Sequence, residues 1–159
     1  MTLKRISMIG LAATLIPAAA FAADGPFKDE IVARQAVMQV SKFNLGVLAA
    51  MVKGERPYDA KLAALSAKNV HLASMVDQSA MWPKGSDAAN PALTVKTTAD
   101  PKIWDSFPKL GELGGNFEKT SAKLEQVAGN GVDALKGAVG EVGKACKACH
   151  DDFRVKDKK

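Results

Sequence analysis

Near the carboxyl end the chain reads Cys146-Lys147-Ala148-Cys149-His150. Two thiols three residues apart, followed at once by an imidazole, form C-x-x-C-H, the spacing of covalent c-type haem attachment. The reason is geometric. On a helix, residues three and four apart share a face. Both sulfurs therefore meet the edge of a porphyrin that carries its two vinyl groups, and His150 reaches the iron from the same side as a neutral imidazole. Other uses of the residues fit less well. A thioredoxin-like pair sits at a helix start after a strand, and no strand pattern precedes Cys146. A zinc site wants about four ligands, while the chain holds two Cys and two His, with His71 far away in sequence. A structural disulfide at this spacing is the remaining reading. Haem c is the expected cofactor, with Cys146 and Cys149 binding it and His150 as an iron ligand. No nucleophile–base constellation is visible, so no enzyme is expected.

The elements that position this motif follow from the apolar pattern. Ile31, Met38, Leu45 and Val52 recur every seven residues, with Arg34, Ser41 and Leu48 between them. That seam predicts a bundle helix over 27–53, ended by Gly54. Arg34 and Ser41 are polar on the inward side, which an all-hydrocarbon core disfavours. A second helix follows Pro57, with Asp59 as N-cap and Leu62, Leu65, Leu72 and Val76 as its buried face, ending near Met81-Trp82-Pro83. Residues 83–100 read as one long loop with a crossover or covering role. A third helix opens at Asp100-Pro101 and carries Ile103, Phe107, Leu110, Phe117, Ser121 and Leu124, with Pro108 placed to bend its first turns. After Gly129-Asn130-Gly131, a fourth carries Val132, Leu135, Val139, Val142, Cys146, Cys149 and Phe153. The expected fold is all-α, an antiparallel four-helix bundle.

The first residues stand apart. Lys4 and Arg5 precede an apolar run from Ile6 to Phe21 that ends in Ala20-Phe21-Ala22. This is the pattern of a secretory signal peptide over 1–22; the run is shorter than the roughly 20 residues of a membrane span. Removing 22 of the 159 residues leaves a 137-residue domain at 23–159 and lowers the formal charge from +5 to +3. Export to a periplasm suits haem attachment. The 25% charged composition excludes disorder, two Cys exclude a disulfide-dense scaffold, and a net +5 with scattered lysines does not point to nucleic acid.

Four stretches together resemble the cytochrome c′ family, the class II c-type cytochromes. They are Arg34-Gln35-Ala36-Val37-Met38, the turn Lys53 to Asp59, Pro101-Lys102-Ile103-Trp104, and Cys146 through Arg154. The resemblance covers essentially the whole mature chain and implies a haem inside the bundle with His150 as fifth ligand. It also implies two branches. High-spin members keep a non-ligating side chain on the far side of the iron and bind gases such as nitric oxide. The low-spin branch, of cytochrome c-556 type, places a Met four residues after the Arg of the R-Q stretch, here Met38. With Met38 in the inward seam, and thioether ligation suited to electron transfer, the expectation is an exported electron carrier with His150 and Met38 as metal ligands. The five-coordinate gas-binding protein is the second reading. Met51, almost two heptads on, lies roughly 20 Å further along the axis and cannot serve the same iron.

Arg34, one turn from Met38, is expected to bind a haem propionate. Arg154, four after His150, either guards the proximal side or complements the helix end. Trp82, Trp104, Phe107 and Phe117 are core or pocket residues, and His71 is a satisfied histidine. Lys144, Lys147, Lys156, Lys158 and Lys159 surround the attachment end and suit an acidic redox partner. A homodimer through the first helix is a further implication of the resemblance.

Overall fold

The computed structural model describes residues 25–156. The expected signal peptide, with Lys158 and Lys159, lies outside the described residues. Four helices follow one another: α1 Lys28–Val52, α2 Ala60–Ser74, α3 Phe107–Val127 and α4 Val132–Phe153. Each packs against its neighbour in sequence and α1 closes on α4, the antiparallel bundle the apolar spacing predicts. Among the described residues no helix is long and apolar enough to cross a membrane.

Local chemistry sets the ends. Asp29 and Glu30 place negative charge in the first turn of α1. Gly54, at φ 74°, takes the left-handed turn that ends the helix region. Asp59 caps α2 by accepting the Leu62 amide at 2.9 Å. Away from the motif, the Tyr58 hydroxyl donates to the Ala128 carbonyl and accepts the Gly131 amide, both at 2.9 Å. It thereby pins the first interhelical turn to the last.

The dry core lies toward this pinned end. Leu48, Met51, Ala63, Ala67, Val70, Leu124, Ala128, Leu135, Ala138 and Val142 form one buried cluster. Met51 belongs to it, as expected for a methionine remote from the motif.

Three expectations are corrected. The buried face of α2 is Ala63, Ser66, Ala67, Val70 and Ala73, while Leu65, Leu72 and Val76 are 56%, 51% and 40% exposed. Small side chains let α2 approach α1 and α3 closely; Leu65 and Leu72 point outward, while Leu62 packs against the core as expected. α2 also stops at Ser74, its end capped by the Met75 amide to the His71 carbonyl, so the connection to α3 is longer than expected. Finally, Pro101–Asp105 is a separate 3-10 segment whose first turn is capped by Asp100. Pro108 falls in the first turn of α3, where the missing N–H would have no partner anyway, so it starts a helix and does not bend one.

Candidate haem site

The end of the bundle opposite Tyr58 is built differently. From Phe107 to Thr120, α3 carries no buried side chain, although Leu110, Leu113 and Phe117 are half-buried on it. On α1, Met38 is 43% exposed, while Arg34 and Ser41 on either side are 3% and 6% exposed. An inward methionine left open between two buried neighbours borders space that this chain's own side chains do not fill. On α4, Cys146 and Cys149 are half-buried and unpaired. Phe153, one turn beyond Cys149, is 6% exposed.

The electrostatics suit ligation by His150. Burial lowers the His150 pKa, and the Arg154 cation lowers it further against a smaller opposing effect of Asp151, a direction that favours the neutral ring a metal ligand needs. Burial raises the pKa of both thiols, with the Cys146 and Asp152 charges adding to the effect at Cys149. A cavity of about 280 Å³ is lined by His150, Asp151, Arg154, Val155 and Lys156. Lys147 is paired with Asp151, and Lys109 reaches Asp152 at 2.7 Å. Part of the basic cluster is thus neutralised locally.

The register of Met38 against the motif is fixed by the long connection. Gln35 donates to the Lys96 carbonyl at 2.8 Å and Arg34 to the Thr97 hydroxyl at 3.1 Å. Two residues later the same strand of chain meets α4. The Asp100 amide donates to the Phe153 carbonyl at 2.9 Å and the Val155 amide to the Thr98 carbonyl at 2.8 Å, around a bridge between Ala99 and Arg154. Because α1 and α4 run antiparallel, one turn inward from this tie is Met38 on α1 and Cys149-His150 on α4. The covering role expected of the loop is therefore real, and it is a cross-tie.

Arg34 has more partners than expected. Its guanidinium donates to the Met81 carbonyl at 3.1 Å, to the Ser86 hydroxyl at 2.7 Å and to the Ser86 carbonyl, and lies 4.1 Å from the Trp82 ring centroid. With the Thr97 bond, four of its five N–H groups face the loop. Burial lowers its pKa, opposed by Asp87 and Glu30. Asp87 in turn accepts the Trp104 indole N–H at 2.6 Å and the Ala89 amide at 2.9 Å. Trp82 and Trp104 thus hold the loop, and Trp104 lies 5.9 Å from the Phe107 ring. Met81, Ser86 and Thr97 as partners of Arg34, Lys96 as the partner of Gln35, and the charge of Asp87 nearby were not expected from sequence. The adjacency of Arg34 and Gln35 was the only local signal. His71 is satisfied by Glu125, 2.5 Å away on α3.

Two thiols, a neutral imidazole, apolar half-buried side chains and an unfilled end describe a haem protein of the bundle class. The sequence profile of cytochrome c′ matches residues 29–154. A cytochrome c′ of Cereibacter sphaeroides is 40% identical over 97% of this chain and 99% of its own length. Among solved structures, a Rhodobacter cytochrome c′ superposes with a TM-score of 0.77 at 37% identity, covering 82% of this chain and 98% of the other. A ferrous variant of the Alcaligenes xylosoxidans protein with bound NO gives 0.69 at 27% identity, covering 82% and 97%. The chain belongs to the cytochrome c′ family. Its members carry one covalently attached haem c, and Cys146, Cys149 and His150 are the residues here whose chemistry fits it. The comparisons give the family, not the low-spin c-556 branch.

Proposed function

We propose that the protein is an exported monohaem cytochrome whose iron is held by His150, with Cys146 and Cys149 as the thioether attachments. Its other axial face, beside Met38, admits small diatomic gases. What carries this reading is the match of the cytochrome c′ profile to residues 29–154. Membership of a family in which a relative holds NO supports the same reading. The sequence-based expectation of permanent His150–Met38 ligation becomes the second reading. It is favoured by the placement of Met38 level with the motif and by the suitability of a thioether for electron transfer. Residues 1–22 serve as the export signal and place the protein in the periplasm. Arg34 retains one N–H, at Nε, for a propionate. An acidic redox partner would meet Lys144 and Lys156 near the attachment end.

A homodimer fits the outer face of α1. Phe43 is 71% exposed and Val40 48%, beside a groove of about 690 Å³ lined by Phe43, Gly46, Val47 and Ala50 with Glu55 and Arg56. A large ring next to a glycine gap on one helix suits a second copy of the same helix.

The absorption spectrum of the reduced protein, with and without carbon monoxide, tests the function. A broad high-spin spectrum that shifts at once on adding carbon monoxide is expected. A sharp, split alpha band indifferent to the gas refutes the open face and establishes the electron carrier.

A further inference from the structure

We propose that the five residues Lys96 to Asp100 are a spacer that sets the separation of α1 and α4 at the open end, and so determines how near Met38 stands to the iron. The inference rests on the haem reading above. Within this short run the chain changes partner helix. The Lys96 carbonyl and Thr97 hydroxyl are held by Gln35 and Arg34 of α1. The Thr98 carbonyl, Ala99 and the Asp100 amide are held by residues 153–155 at the end of α4. Directly packed helices sit roughly 8–10 Å apart, whereas five extended residues reach at most about 17 Å. A backbone rung can therefore hold two helices wider apart than interdigitated side chains would.

The rung is stiffened from behind. The Ala88 amide donates to the Ala99 carbonyl at 2.9 Å. The Thr97 hydroxyl also accepts the Ala99 amide at 3.2 Å, so one side chain serves both the α1 tie and the internal geometry of the run. Asp87, next to the Ser86 held by Arg34, is fixed by Trp104 at 2.6 Å. Ala99 is buried, and Ile103 just beyond the rung is 1% exposed. Asp100 closes the run by capping the following 3-10 turn through the Lys102 amide at 3.0 Å.

An axial thioether must come within bonding distance of iron, and one turn of α1 separates Met38 from the Arg34 tie. Holding that turn back keeps a methionine in the right register from becoming a ligand. Slackening the rung lets α1 close and brings the thioether in. Thr97 and Gln35 are thus positioning residues that act through Met38.

The test uses the holoprotein with Thr97→Val, alone and with Gln35→Ala. Hydrogen exchange at the Asp100 and Val155 amides reads the rung, and the reduction potential and carbon monoxide association rate read the iron. Exchange at those two amides is expected to accelerate at least about tenfold in the double variant, with a raised potential and slower gas binding. Thr97→Ser, which keeps the hydroxyl, should restore wild-type values. Tyr58→Phe, at the far end, should lower global stability without moving either readout. Unchanged exchange at the two amides overturns the spacer, as does faster exchange with an unchanged potential. A wild type that is already low-spin and indifferent to carbon monoxide defeats the open-face reading instead. The spacer's effect on Met38 falls with it, whereas unchanged exchange in a protein that binds carbon monoxide overturns the spacer alone.

Discussion

Replacing Arg34 with Met keeps most of the stem and removes the guanidinium. The side chain is 3% exposed. Its loss leaves the Met81 and Ser86 carbonyls and the Ser86 and Thr97 hydroxyls without their donor, and takes the cation from the face of Trp82. Hydrogen bonds from a charged donor contribute about 1.5–3 kcal/mol each and a desolvated cation–π contact about 2 kcal/mol. Much of that is offset because the variant no longer has to bury a charge. The net expectation is that of breaking a buried polar cluster on one side, about 3–5 kcal/mol. Asp87 adds to it, since its buried carboxylate loses the attraction of the Arg34 charge and keeps the Trp104 and Ala89 donors. For a domain of this size the melting temperature should fall by roughly 10–20 °C. Guanidinium chloride unfolding of the holoprotein, followed by far-UV circular dichroism, measures the loss directly. Arg34→Lys should fall between, because it restores the charge without the planar fork. A loss below about 1 kcal/mol for Arg34→Met would show that the loop does not depend on this side chain, and the account of the cross-tie would fail with it.

Other outcomes follow from the same geometry. Tyr58→Phe removes a hydroxyl that serves both an acceptor and a donor between the two turns, so unfolding free energy should drop by about 1–3 kcal/mol in chemical denaturation, with no change in the visible spectrum. Cys149→Ser should weaken or abolish covalent attachment, read as loss of haem staining on a denaturing gel; full incorporation would count against the assignment. Met38→Ala should leave a high-spin protein with faster carbon monoxide binding, and a slower rate would remove Met38 from the entrance. Phe43→Asp places a charge on the outer face of α1 and should shift a dimer to monomer in sedimentation at unchanged haem content.

Local chemistry made much of this molecule legible in the linear chain. The C-x-x-C-H run places two thiols and an imidazole on one helical face by backbone geometry alone, so haem attachment needed no tertiary information. Asp59 capping α2, Asp100-Pro101 starting a 3-10 turn and Gly54 ending α1 are likewise decided by a few neighbouring residues. Periodicity gave the count and order of the four helices. It failed where two faces competed. On α2, leucines and alanines both repeat at helical spacing, and the small face is buried because two neighbouring helices come close to it, which no local pattern encodes. The loop between α2 and α3 was harder still. Arg34 meets Ser86 and Thr97 across 52 and 63 residues of sequence, and a five-residue rung changes helix partners in its middle. Such contacts depend on the whole bundle having closed. The residue types therefore fixed which chemistry the protein carries, while the packing of distant segments decided where Met38 stands relative to it.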